Sequence, residues 1–114
     1  MSSPVVHWEI AGKAESGLVE FYSRLFGWQV NTENPEYGLV EGSDGGIGGG
    51  IMSLPEGVPA YVTIYVQVDD LEGAIAKAAE LGGGLIRPPE AIPGVGRFAL
   101  IRDPEGNVIG LLGE

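Results

Sequence analysis

Polar and apolar residues alternate in a stretch near the middle of the chain. Val62, Ile64, Val66 and Val68 take one face, and Tyr61, Thr63, Tyr65 and Gln67 the other, a period of two that predicts a β-strand. Near the N-terminus Val6-His7-Trp8-Glu9-Ile10 predicts a second. His7 and Glu9 share one face there, and Trp8 and Ile10 lie on the opposite face, expected to pack as core under a helix. After each strand the period becomes helical. A first helix is predicted over about residues 15–25, with Leu18, Phe21, Tyr22 and Leu25 as its stripe. A second is predicted over about residues 71–81, with Leu71, Ala74, Ile75, Ala78 and Leu81. Asp69 or Asp70 can cap the second helix, where open backbone N–H groups need acceptors. Gly27 and Gly82 fall just past the helix ends, where a left-handed residue is wanted. Three shorter strands follow in each half, at about residues 28–32, 37–41 and 47–52, and at about 85–87, 97–102 and 107–112. Asp103-Pro104-Glu105-Gly106-Asn107 reads as a tight turn between the last two.

The two halves also match each other. At an offset of 56, Val6-His7-Trp8-Glu9-Ile10 falls on Val62-Thr63-Ile64-Tyr65-Val66, and Gly17-Leu18-Val19 on Gly73-Ala74-Ile75. At an offset of 60, Gly50-Ile51-Met52 falls on Gly110-Leu111-Leu112. The extra four residues are expected in a loop at 88–94. The fold expected is α+β: one domain over residues 1–114, built from tandem β-α-β-β-β modules at about 4–53 and 60–113. Together these would form a curved mixed sheet with a central cup.

Composition narrows the function. The chain of 114 residues is 44% hydrophobic, enough for one real core. It has no cysteine, which excludes a disulfide framework, a thiolate metal site and a cysteine nucleophile. The net charge of −10, with Arg87, Arg97 and Arg102 dispersed, argues against nucleic acid and anionic membrane as partners. No stretch approaches the roughly 20 apolar residues of a membrane span. Met1-Ser2-Ser3-Pro4 lacks the features of a signal peptide, so a cytoplasmic location is expected. Gly45-Gly46-Ile47-Gly48-Gly49-Gly50 leads into a strand-like Ile51-Met52 and then Pro55, not into the helix that a nucleotide loop requires. No serine sits in a nucleophile-elbow pattern.

Three segments in this order, Phe21-Tyr22-Ser23-Arg24-Leu25-Phe26-Gly27-Trp28, Val68-Asp69-Asp70-Leu71 and Asp103-Pro104-Glu105-Gly106-Asn107, resemble the vicinal oxygen chelate superfamily, also called the glyoxalase/bleomycin-resistance/dioxygenase fold. The resemblance covers nearly the whole chain. It implies either a metal-dependent lyase, isomerase or dioxygenase, or a metal-free binder of small molecules, often as a homodimer. The implied metal would be held from four strands. His7 matches one ligand position, but the others fall on Thr63, on Gly110 and near Gly48 or Gly50. With one ligand of four, no metal and no cofactor are expected.

The residues expected to bind ligand are His7, Glu9, Thr63, Tyr65 and Gln67, with Trp28 and Phe98 as aromatic lining. His7, Glu9, Tyr65 and Gln67 are expected to converge on one site. Arg97 is either an anchor for an anionic ligand or a surface residue. Three functions remain open: a metal-free binder of a small organic molecule, a glyoxalase-type lyase or isomerase, and a non-catalytic dimeric interaction module.

Overall fold

The computed structural model describes residues 2–114. Its elements are β1 (Val5–Lys13), α1 (Leu18–Phe26), β2 (Val30–Asn31), β3 (Tyr37–Val40), β4 (Gly49–Leu54), β5 (Tyr61–Gln67), α2 (Leu71–Glu80), β6 (Gly84–Ile92), β7 (Gly96–Arg102) and β8 (Val108–Gly113). The order strand, helix, three strands therefore occurs twice. The chain divides into two compact units. The first is His7–Val62; the second is residues 63–114 with the N-terminal residues up to Val6.

Each unit has the same strand order. In the first it is β2-β3-β4-β1, and in the second β6-β7-β8-β5. β1 runs parallel to β4, with Glu9 opposite Gly50, and β5 runs parallel to β8, with Tyr65 opposite Gly110. Glu9 and Tyr65 are therefore equivalent positions, at the offset read from the sequence. β3 and β7 stand at an offset of 61, one residue out of step with the 60 read from the sequence. Leu39 faces Gly50 whereas Leu100 faces Gly110, which makes Tyr37 and Phe98 equivalent. The two glycines are needed in place. A Cβ on Gly50 would lie on the Tyr37 ring, and one on Gly110 on the Tyr65 ring.

The second unit holds the better-packed core. Leu71, at the start of α2, is 1% exposed and packs with Ala99 and Leu111 inside a ring of Val66, Val68, Ala74, Ile75 and Ile101. Of the two aspartates placed to cap α2, Asp70 does so, its Oδ1 accepting from the Gly73 N–H at 3.0 Å. α1 instead lies between Gly17 and Gly27, both left-handed, and buries no residue completely. Its expected stripe is divided. Leu18 and Tyr22 are half-buried, but Phe21 and Leu25 are 55% and 59% exposed. The reason is the surface beneath: Gly12 and Gly38 have no side chains, so Leu18 and Val19 settle against them and set the helix's rotation.

The loop expected at 88–94 is corrected in part: residues 88–92 belong to β6, and the turn to β7 begins only at Pro93. Pro88 and Pro89 lie inside β6, whose register against β7 slips between Leu85 and Arg87 and again between Arg87 and Glu90. Each slip takes up one extra residue as a bulge in the outermost strand of this unit, where proline is tolerated. β2 shrinks to Val30–Asn31. The turn at 103–107 forms: Asp103 accepts from the backbone N–H of Glu105 and Asn107 and from the Asn107 side chain, each at 2.9 Å. Among the described residues no helix is long and apolar enough to cross a membrane.

Candidate functional site

The first unit gathers four polar side chains. β1 puts His7 and Glu9 on one face, β3 begins with Tyr37, and Tyr61 closes the unit at the start of β5. Glu9 is 3% exposed. Its Oε1 accepts from the Tyr37 hydroxyl and its Oε2 from the Tyr61 hydroxyl, both at 2.9 Å. Withdrawing a carboxylate from water costs several kcal/mol unless it is hydrogen-bonded. Two hydrogen bonds to a charged acceptor, at about 1.5–3 kcal/mol each, offset that cost.

The same network sets the histidine. His7 Nε2 lies 2.9 Å from the Tyr37 oxygen, and the two rings are nearly coplanar in orientation at 12°. A phenol has one proton, and that of Tyr37 goes to Glu9. Tyr37 therefore accepts from His7, which fixes the tautomer with hydrogen on Nε2 and makes Nδ1 the basic nitrogen. Burial lowers the His7 pKa below its ordinary value, and the Glu9 charge partly opposes the shift. His7 is thus neutral at pH 7.

The equivalent positions of the second unit carry different chemistry. Tyr65, 8% exposed, meets Phe98 edge-on at 6.4 Å, and the Arg87 guanidinium lies over the Phe98 ring at 5.2 Å. Arg87 is also paired with Glu90. Thr63, in the place of His7, is 4% exposed and donates to the Val108 carbonyl at 2.6 Å. The Gln67 side chain is exposed, while its backbone N–H donates to the Pro4 carbonyl.

Within the first unit the structure brings His7 and Glu9 together but not Trp28. Trp28 packs against Trp8, Phe26 and Tyr22, with ring centroids 4.9, 5.0 and 5.7 Å away. That places it beside α1, with the residue expected on the face opposite His7. Arg97 is a surface residue, as its bidentate pair with Glu72 and its bonds to the Glu114 carbonyl occupy the guanidinium.

Sequence reasoning missed Tyr37 and Tyr61. Tyr61 was visible on the polar face of its strand. Tyr37 was hidden, because the offset of 60 sets it against Arg97 and not against Phe98. The donor set does not fit the metal that the resemblance implies. Among the described residues no three histidine, cysteine, aspartate or glutamate side chains gather to hold an ion. The residue facing Glu9 on β4 is Gly50, and both Glu9 oxygens already accept phenolic protons.

Comparison with known proteins agrees with this architecture. The model of a family described as a glyoxalase-like domain matches residues 12–112, a range that begins after His7 and Glu9. The CFP32 protein of Mycobacterium tuberculosis is 40% identical over 76 residues, which cover 67% of this chain and 29% of CFP32. The anthracycline biosynthesis protein DnrV of Streptomyces peucetius is 29% identical over 105 residues, covering 76% of this chain and 38% of DnrV. The chain thus spans well under half the length of these relatives. A glyoxalase/bleomycin resistance protein/dioxygenase superfamily member from Vibrio splendidus has the same fold, with a TM-score of 0.65 at 17% identity over 99% of this chain and 100% of that one.

Proposed function

The chain belongs to the glyoxalase-like domain family, and from that premise we propose that it binds a small organic molecule through His7, Glu9, Tyr37 and Tyr61 without a metal ion. The observation that carries this reading is a buried carboxylate held by two phenols, one of which also meets an imidazole. These groups suit a ligand with hydroxyl groups, whose protons the phenolic oxygens and the neutral imidazole can accept. The two residue pairs of the second unit, Thr63 with Gln67 and Tyr65 with Phe98, remain part of the proposal as additional contacts. A second reading, proton transfer next to a carbonyl in a lyase or isomerase, is favoured by one feature. The fixed tautomer makes a neutral His7 Nδ1 an acceptor of suitable basicity.

A thermal-shift screen of hydroxylated and carbonyl-bearing metabolites and antibiotics tests the binding site, because a ligand that binds only the folded state raises the midpoint. A hit should stabilise the parent and lose its effect in Tyr37→Phe and His7→Gln. Hits that stabilise both variants as well as the parent would refute the assignment. Stoichiometric nickel, zinc, iron or manganese in protein purified without added metal, and lost in His7→Ala, would revive the metalloenzyme. On family grounds we also propose a cytoplasmic homodimer, which sedimentation velocity at micromolar concentration tests.

A further inference from the structure

We propose that a cavity of about 730 Å³ in the first unit is a second binding site, suited to a small arylalkylamine in its ammonium form. It shares no residue with the His7–Glu9 network, and the proposal does not depend on the function assigned to that network. One wall is the segment leaving α1, with Phe26 and Trp28; the other is the end of β3 and the loop beyond it, with Glu41 and Asp44. The volume lies within the roughly 300–1,000 Å³ of small-molecule sites.

The aromatic wall is braced on one side only. Trp28 is held by Trp8 and Tyr22, and Trp8 is itself tied by its indole N–H to the Ile47 carbonyl at 3.2 Å. Phe26, 5.0 Å from Trp28, is the open end and is 56% exposed. The opposite loop is closely folded. The Gly46 N–H donates to the Ser43 carbonyl at 2.8 Å, and a Cβ on Gly42 would strike the Gly46 carbonyl. Asp44 turns the chain at a φ of 50°, one of the few side chains that tolerate this region. Both walls are therefore formed before any ligand arrives.

Charge decides the kind of ligand. Glu41 and Asp44 line the cavity and no lysine or arginine does. Among the described residues neither carboxylate takes part in an ion pair. An ammonium group there meets negative charge beside two aromatic side chains, whereas a carboxylate ligand of the same shape is repelled.

The probes are 1-naphthylmethylamine and 1-naphthaleneacetate, which share a ring system and differ in charge. The amine should shift the backbone amide signals of Gln29, Asn31, Glu41 and Ser43 and leave the His7 ring signals in place. It should bind at least about tenfold more tightly than the acetate, and Glu41→Gln with Asp44→Asn should remove about that factor without lowering the melting temperature. Equal affinity for both probes, amide shifts confined to other regions, or full binding by the double variant would overturn the site. So would an affinity that falls as protein concentration rises, since a second copy of the chain would then be the occupant.

Discussion

The two units share an element order and a strand order, yet they use equivalent positions in opposite ways. Glu9 and Tyr37 in the first unit are Tyr65 and Phe98 in the second. One pair is a carboxylate and a phenol joined by a hydrogen bond, the other two rings in edge contact. His7, bonded to another side chain, is matched by Thr63, whose hydroxyl is satisfied by the backbone. The helices differ in the same sense. α2 is anchored by a fully buried leucine, while α1 leaves Phe21, Leu25 and Phe26 more than half exposed. A repeated scaffold thus carries its buried carboxylate in one copy and its fully buried helix anchor in the other.

Truncating the anchor is the strongest test of that division. Leu71→Ala should cost about 3 kcal/mol, read from the urea midpoint, because it opens a cavity in a closed core. Phe21→Ala on the other helix should cost less than about 1 kcal/mol. Similar losses at the two sites would mean that the cores are not unequal after all.

Giving the first unit an apolar residue at its polar position comes next. Glu9→Leu removes the acceptor that the Tyr37 and Tyr61 hydroxyls share and should cost about 2 kcal/mol. Adding Tyr37→Phe and Tyr61→Phe should recover part of that loss, since removing both sides of a buried hydrogen bond is cheaper than removing one. A triple variant less stable than Glu9→Leu alone would show that the rings, and not the hydrogen bonds, carry the stability. Thr63→Val should be milder, at about 1 kcal/mol, since it removes one hydrogen bond to the Val108 carbonyl.

The smallest effect is in pH. Burial depresses the His7 pKa in the folded state, so below the ordinary value of 6.5 the unfolded chain binds the extra proton first. The contribution of His7 is present above 6.5 and is lost as pH falls from there through the folded pKa. The chain has one histidine, so an NMR titration of its ring protons should show a midpoint below 6.5. Glu9→Gln should lower that midpoint further, because it removes the opposing charge. A rise in Glu9→Gln would contradict the network.

The sequence alone determined whatever depends on near neighbours. Alternation placed His7 beside Glu9 on one face and Trp8 on the other, helical spacing located α1 and α2, and Asp70, Gly27 and the 103–107 turn were legible from local backbone needs. The self-match fixed the repeated element order for the same reason, since each element is a run of adjacent residues. Tertiary structure decided what depends on register between distant strands. A one-residue difference across β3 and β7 made Tyr37 the equivalent of Phe98 and brought its hydroxyl to Glu9, 28 residues away along the chain. Two bulges let β6 run on through residues 88–92 of the expected loop, and the bare backbone of Gly12 and Gly38 decided which side of α1 faces water. Such outcomes turn on whether two surfaces far apart in sequence fit, and periodicity records only that each surface exists.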